Sequence, residues 1–302
     1  MTECEPMDRI QGAPTAAQDV TPGRHRRIDC AGRTAALVFA VTSGKGGVGK
    51  TNVVANLATA LALMKKKVMA IDADLGLANL DLFLRVQPKY TLADFFSGAV
   101  PLGEVFVVNR NGILLLPGAS GAQEITALSH EQKAALLTEL DVVTHELDLV
   151  LVDTGSGISD VVTYFTTAAQ EIVVVVTPEP ASITDAYALI KVLTGQRQQR
   201  FRILANNVAD EKEAWRLFDT LSSAALRFLN ASLDFVGWIP RDPQLVRAVA
   251  RAQTVVVDAP SSPSARAFTS LAEQFVRMAG GVKVKGNVQF FFRRMIEWGK
   301  AQ

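Results

Sequence analysis

The chain has 302 residues, of which 49% are hydrophobic, and a formal net charge of +1. That size fits one large α/β domain or two ordinary ones, and the near-neutral charge gives no bulk electrostatic argument for nucleic-acid binding. The two cysteines, Cys4 and Cys30, both lie near the N-terminus and suggest neither a disulfide framework nor a metal site. The polar N-terminus and the lack of an apolar run of about 20 residues predict a cytoplasmic protein.

Three segments differ in composition. Residues 1–34 contain prolines and a basic run without a hydrophobic period, which predicts a flexible N-terminal arm. Residues 35–279 alternate apolar runs of strand length with helical patterns and form the predicted main domain. Residues 280–302 begin with a Gly-Gly pair, lie outside that alternation and are predicted to be an appendage.

The main domain is predicted to be an α/β fold. A helix over Val53–Met64 follows the first predicted strand, and helical patterns separate most of the later ones. The alternation favours a mostly parallel twisted sheet with helices on both faces and a ligand site at the carboxyl ends of the strands. Ser129 and Gln132 have capping-box spacing, so the segment around His130 is interpreted as structural. The predicted strands are Leu37–Val41, Val68–Ile71, Ile113–Leu116, Leu149–Val152, Ile172–Val176, Arg202–Leu204 and Phe235–Ile239.

A glycine-rich loop connects the first strand to the first helix. Its sequence, GKGGVGKT, has the G-x-x-x-x-G-K-T spacing of a phosphate-binding P-loop. The glycines let backbone amides point at phosphate oxygens, and the helix adds its positive N-terminal end. Lys50 is expected to reach the β- and γ-phosphates and Thr51 to bind Mg²⁺. The predicted nucleotide-binding residues here are Gly44, Lys45, Gly46, Gly47, Val48, Gly49, Lys50, Thr51 and Asn52.

Carboxylates follow two of the apolar strands. Asp72 and Asp74 come after the second strand, and Asp153 ends the run Leu149–Val152. An aspartate at a strand end beside a P-loop can hold Mg²⁺ through water or orient the attacking water. The alternatives are a solvated surface turn for the first pair and a helix cap for Asp153.

These motifs resemble those of the MinD/ParA group of ATPases with a deviant Walker A motif. Lys45 gives KGGVGKT, DADLGLANLDLFL resembles switch I, and DTGSG from Asp153 to Gly157 matches the D-x-x-x-G of switch II. Two later phrases, VVTPEPASITDAYALIK and IPRDPQLVRAVARAQTVVVDAPSSPSARAF, resemble the FlhG/FleN (YlxH) flagellar number regulators. The resemblance covers about residues 36–298.

The resemblance implies a role for each site residue, with ATP and Mg²⁺ as cofactors. Lys45 would reach the partner's nucleotide in an ATP-bound homodimer, Lys50 would bind phosphate, and Asp74 would place the catalytic water. Thr51, Asp72 and Asp153 would form the metal site. The Gly157 amide would sense the γ-phosphate.

The same resemblance places the adenine pocket at two later strand ends. Asn206 stands where relatives have an adenine-reading asparagine, and its amide can both donate to and accept from a base edge. Asn207 is the rival for that role. Pro240 and Arg241 are predicted to close the other side of the base.

The C-terminal appendage has an amphipathic pattern. At about 100° per residue, bulky apolar side chains share one helical face opposite arginines, which predicts an interfacial helix. MinD-like proteins typically carry such a membrane-targeting helix. The alternative is a helix packed on the domain's own core, and both states could occur in turn. The predicted membrane-facing residues are Val288, Phe291, Phe292, Met295 and Trp298.

Together these features predict a slow ATPase that dimerises with ATP, attaches reversibly to the inner face of the cytoplasmic membrane and regulates flagellar number and placement. The implied partners are an FlhF-type GTPase, flagellar basal-body components or a FleQ-type regulator, with no specific nucleic acid. Residues 1–34 lack the D-Q-A-x-x-L-R motif with which many FlhG proteins activate FlhF. The alternatives are a ParA- or MinD-like partition or division-site ATPase and a scaffold that does not hydrolyse ATP.

Overall fold

The computed structural model describes residues 36–74, 79–118, 139–140, 146–281, 291 and 293–294. Within these residues, eight strands form one sheet in which neighbouring strands are parallel except for the third and fourth. The strands are β1 (Leu37–Ser43), β2 (Val68–Ala73), β3 (Val107–Val108), β4 (Leu114–Leu116), β5 (Leu149–Ser156), β6 (Glu171–Val176), β7 (Arg200–Val208) and β8 (Ser232–Pro240). Their order across the sheet is β3-β4-β2-β5-β1-β6-β7-β8, which places β1 near the centre.

Helices cover both faces of this sheet. One face carries α1, α2, α8, α9 and α10, and the opposite face carries α3 to α7. The helices of the described residues are α1 (Lys50–Leu63), α2 (Leu80–Leu84), α3 (Leu92–Phe96), α4 (Leu102–Val105), α5 (Asp160–Ala168), α6 (Pro180–Gly195), α7 (Glu211–Leu229), α8 (Pro243–Ala250), α9 (Val255–Asp258) and α10 (Pro263–Gly281).

The predicted fold class is confirmed. The central strands are apolar at nearly every position because both of their faces are covered, as in other parallel sheets. Each predicted strand overlaps an observed one, and the first helix begins at Lys50 rather than at Val53. The sequence analysis missed β3, whose two residues are too few to show a periodic pattern. The segment boundaries at residues 34 and 279 remain predictions, and the N-terminal arm and the segment around His130 lie outside the described residues.

A stacked aromatic pair joins the central strand of the sheet to α10. Phe39 on β1 and Phe275 on α10 are both fully buried, and their ring centroids are 4.3 Å apart. Because β1 leads directly into the glycine-rich loop, this stack also anchors the strand that positions the loop.

Replacing Phe275 with alanine should lower the free energy of unfolding by about 3–5 kcal/mol, because a large buried side chain is lost and a cavity remains. The matched control is Phe228→Ala on α7, where the side chain is 66% exposed; its effect should stay within about 0.5 kcal/mol. Urea unfolding of both variants measures the difference. Equal losses in the two variants would contradict this account of the core.

Candidate nucleotide site

The glycine-rich loop runs from the end of β1 to the start of α1. Gly49 has φ of 91°, in the left-handed region, and a Cβ there would lie 2.7 Å from Nδ2 of Asn206. A Cβ on Gly44 would lie 2.1 Å from the backbone carbonyl of Asp185 in α6. Both positions therefore need glycine, one for its conformation and contact and the other because α6 comes too close for any side chain.

Lys50 lies at the bottom of this loop, buried. Its Nζ donates a hydrogen bond to Oγ of Ser43 at 3.0 Å, and that hydroxyl donates to the Lys45 carbonyl at 2.6 Å. Burial lowers the pKa of Lys50, whereas the negative charges of Asp153 and Asp74 oppose the shift. A phosphate group placed in the loop would compensate the ammonium charge, which burial removes from water.

Two carboxylates face each other across neighbouring strands beside Lys50. The register of β2 and β5 pairs Asp72 with Asp153, and both side chains are buried. Burial, reinforced by the charge of Asp72, raises the pKa of Asp153 to about 8, although the Thr51 hydroxyl and Lys50 act in the opposite direction. Burial likewise raises the pKa of Asp72 to about 6, against the effect of the backbone amides of Leu80 and Asp74.

The acidic pair fits a magnesium ion that is shared with a nucleotide. Neither carboxylate oxygen of Asp153 accepts a well-formed hydrogen bond within the described residues, whereas Asp72 accepts from two backbone amides. The described residues hold no group of three or more His, Cys, Asp or Glu side chains suited to a metal ion. Mg²⁺ typically uses one or two carboxylates, waters and substrate phosphates, so Asp153 and the Thr51 hydroxyl match that need.

Asp74 and Gly157 lie at the open end of the same site. A Cβ built on Gly155 would be 3.7 Å from Oδ1 of Asp74, which places that carboxylate beside the end of β5. The amide of Gly157 donates to the Ser43 carbonyl at 2.9 Å, so sensing a γ-phosphate would require that bond to break. The residues that follow Asp74, 75–78, lie outside the described residues.

The two candidate base-reading asparagines have different surroundings. Asn206 is buried, and its Nδ2 donates to the Val48 carbonyl of the P-loop at 2.7 Å. Asn207 is exposed and has a left-handed backbone with φ of 59°. Asn206 therefore touches the phosphate loop, whereas Asn207 faces solvent. Asn52, on the first turn of α1, has a buried Nδ2 that makes no hydrogen bond within the described residues.

The loop after β8 is held by Asp242. Its Oδ1 accepts from the Gln244 amide at 2.8 Å, and its Oδ2 accepts from the amide and hydroxyl of Ser264 at 3.0 and 2.6 Å. Burial would raise the pKa of Asp242, but these hydrogen bonds outweigh it and lower the pKa overall. Asp242 thus fixes Pro240 and Arg241, the predicted base-closing residues, to the start of α10.

Lys45 forms an ion pair with Glu179, the residue before α6. Its Nζ lies 2.5 Å from Oε2 of Glu179, and the two side chains are 37% and 58% exposed. The sequence analysis did not single out Glu179. Its position could have indicated the contact, because it follows β6 closely and β6 is the neighbour of β1 in the sheet.

Little of the predicted membrane helix can be located. Phe291 is fully buried in the core on the sheet face that carries α3 to α5, whereas Arg293 and Arg294 are exposed. The other predicted membrane residues, Val288, Phe292, Met295 and Trp298, lie outside the described residues. Burial of Phe291 matches the alternative of a helix packed on the domain. None of the described helices is long and apolar enough to cross a bilayer.

Comparison with known proteins agrees with this geometry. The ParA family, described as NUBPL iron-transfer P-loop NTPase, matches residues 34–276. Antiactivator FleN of Pseudomonas aeruginosa is 43% identical over 86% of this chain and 93% of its own length. Flagellum site-determining protein YlxH of Helicobacter pylori is 33% identical over 86% and 90%. The MinD structure from Pyrococcus horikoshii with Mg-ADP superposes with a TM-score of 0.65 at 26% identity, covering 83% of this chain and all of that one.

Replacing Asp153 with asparagine should change how stability depends on pH. In the wild type the folded state holds a proton that the unfolded chain releases near its ordinary pKa of about 4. The folded protein therefore loses stability as the pH rises from the ordinary carboxyl pKa toward and through about 8, where Asp153 releases its proton in the folded state. Between about pH 6.5 and pH 9 the free energy of unfolding of the wild type should fall by about 2 kcal/mol. That of Asp153→Asn should not show this fall.

Urea unfolding at the two pH values measures this difference. Asp219→Asn, at an exposed position of α7, is the matched control and should retain the wild-type slope. Adding Mg·ADP should stabilise the wild type and the control but not Asp153→Asn. Identical slopes in all three proteins would overturn the assignment of the buried proton to Asp153.

Proposed function

We propose that this chain, an ATPase of the ParA/MinD family of P-loop NTPases, is a dimerising switch that limits flagellar number and sets flagellar placement. Its similarity to an antiactivator and to a flagellum site-determining protein supports the cellular role. Lys45 supports the dimer, because its half-exposed ammonium group pairs with Glu179, whereas Lys50 lies buried at the chain's own phosphate loop.

The proposed cycle begins with ATP binding. Lys50 and the loop amides hold the phosphates, and the residues Thr51, Asp72 and Asp153 hold Mg²⁺ directly or through water. The metal ion neutralises charge on the phosphates when bound. The side chain of Asp153, whose oxygens accept no well-formed hydrogen bond within the described residues, and the buried ammonium of Lys50 would both gain partners from this ligand.

Dimerisation then requires Lys45 to leave Glu179. The ammonium group would cross to the partner's nucleotide, where a cation offsets charge on the transferring phosphoryl group. Asn206 is the better placed asparagine for the adenine because it contacts the P-loop, with Pro240 and Arg241 on the far side of the base.

Hydrolysis would return the protein to the monomer. Asp74 lies at the open end of the site, where it can orient a water molecule toward the γ-phosphate. After the phosphate leaves, the Gly157 amide would return to the Ser43 carbonyl that it binds in this structure. This exchange of partners gives the loop two states that differ with the nucleotide.

Membrane attachment would follow the same cycle. In the described state Phe291 is buried in the core. We propose that the ATP-bound dimer releases the C-terminal segment, so that its apolar face enters an anionic bilayer surface. Turnover would be slow in solution and faster with the membrane or a partner. The proposed partners are an FlhF-type GTPase, basal-body components or a FleQ-type regulator.

Asp74→Ala should bind ATP with near wild-type affinity but hydrolyse it about 100-fold more slowly or worse, because the attacking water is no longer oriented. The variant should then accumulate as an ATP-bound dimer that sediments with anionic liposomes. Sedimentation with ADP should remain low. Equal liposome binding with ATP and ADP would rule out the membrane cycle.

The same substitution can be tested in cells, by counting flagella per cell with electron microscopy in a strain carrying Asp74→Ala. Extra or misplaced flagella are expected. Normal flagella combined with defects in division or chromosome segregation would leave the ATPase intact but assign it to a different process.

Glu179→Gln should favour the dimer, because the variant lacks the Lys45–Glu179 ion pair that dimerisation would have to break. The pair is substantially exposed, so the gain is at most about 1 kcal/mol, or up to about fivefold less ATP for half-maximal dimerisation. Analytical ultracentrifugation across an ATP titration measures the shift. Glu273→Gln on the exposed side of α10 is the control and should change nothing. A higher ATP requirement in Glu179→Gln would show that Glu179 supports the dimer instead.

A further inference from the structure

The outer edge of β8 borders an open groove far along the sheet from the P-loop strand. Three strands separate the centre from this edge in the order β1-β6-β7-β8. In the part of the chain that the structure describes, no strand pairs with the outer side of β8. The backbone N–H and C=O groups along such an edge are ready to pair with another extended chain.

Two helices form the walls of this groove, which we call the β8 groove. Its floor is the backbone of β8, one wall is the first turns of α7 and the other is one face of α10, and it encloses about 530 Å³. Gly237 lies in the floor, and a Cβ built on it would meet no heavy atom within 4 Å. An incoming backbone can therefore approach β8 closely at this point. The lining residues from α10 are Pro263, Arg266, Ala267, Ser270, Leu271 and Gln274.

The α7 wall presents an aromatic cluster that the core only partly covers. Trp215 is 43% exposed and packs on Phe235 of β8 with ring centroids 4.5 Å apart, and Phe218 supports both rings. The Trp215 Nε1 reaches Glu211 on the same helix at 3.4 Å, which holds the ring at the rim of the groove. Exposed aromatic side chains beside a free edge are typical anchors for a bound peptide.

The opposite wall carries an uncompensated positive charge. Arg266 is exposed on α10, and its Nη1 donates a hydrogen bond to the Ser261 carbonyl and not to a carboxylate. Among the described residues it forms no ion pair. An acidic side chain of a bound segment would find a partner there at little desolvation cost.

We propose that the β8 groove binds an extended peptide segment of a partner protein, which adds a strand to β8. Its apolar side chains contact Trp215 and Phe235, and an aspartate or glutamate of the segment pairs with Arg266. An extended segment fits better than a helix, because only an extended backbone can satisfy the free edge of β8. The proposed peptide contacts, Trp215, Phe235 and Arg266, lie outside the nucleotide site, although Pro240 lines both the groove and the predicted base pocket.

The experiment pans a phage-displayed library of random 12-residue peptides on the full-length chain. Enriched sequences should alternate apolar and polar residues and contain an acidic residue. Synthetic versions carrying a fluorescent label should then lose about tenfold or more in affinity for Trp215→Ala, because a central aromatic anchor is removed. Arg266→Glu should also weaken binding, whereas Arg277→Glu, exposed further along α10, is the matched control and should not.

Backbone methylation of the peptide separates strand addition from other modes. N-methyl groups on alternate amides should abolish binding in one register and be tolerated in the other, because only every second amide of an added strand faces β8. No enrichment, equal affinity for Trp215→Ala and Arg266→Glu as for the wild type, or indifference to N-methylation would each overturn the proposal. Thermal melting shows whether Trp215→Ala is folded. If Trp215→Ala is unstable, the affinity of Arg266→Glu still tests the proposal.

Discussion

The candidate site is organised around three buried ionisable groups whose charged forms burial disfavours. The parallel register of β2 and β5 brings Asp72 next to Asp153 at the carboxyl ends of the strands, and the loop after β1 places Lys50 beside them. Burial alone would favour neutral forms of all three groups. The positive charge of Lys50 opposes the effect of burial on Asp153, whereas the negative charge of Asp72 reinforces it. A ligand that brings both phosphate and a divalent cation would restore full charge to each group.

Much of this arrangement could be predicted from the sequence. The Walker motif fixes Lys50 and Thr51 relative to β1, and an apolar run that ends in aspartate predicts the position of Asp153. A parallel sheet brings the ends of such runs to one edge, which is why Asp72 and Asp153 could be expected near one another. Local pattern and overall topology agree at these positions.

The remaining features depend on contacts between residues distant in sequence, which no local pattern encodes. The pairing of Lys45 with Glu179 and the hydrogen bond from Asn206 to the Val48 carbonyl join segments that the sheet order brings together. The same is true of the groove beside β8, because the strand shows the usual apolar pattern and only its place at the edge of the sheet leaves one side open. The short β3 strand was missed because pairing with β4, not its own sequence, defines it.

Asp242 joins the loop after β8 to the first residues of α10, and this link has a mechanical consequence. A 19-residue helix is about 28 Å long, so a tilt of about five degrees at its anchored end moves the other end by about 2.5 Å. The anchored end borders the proposed base pocket, and the far end is Gly281, from which the C-terminal segment continues. A small rearrangement around the adenine that tilts this helix would therefore become a larger displacement at Gly281, where the C-terminal segment begins.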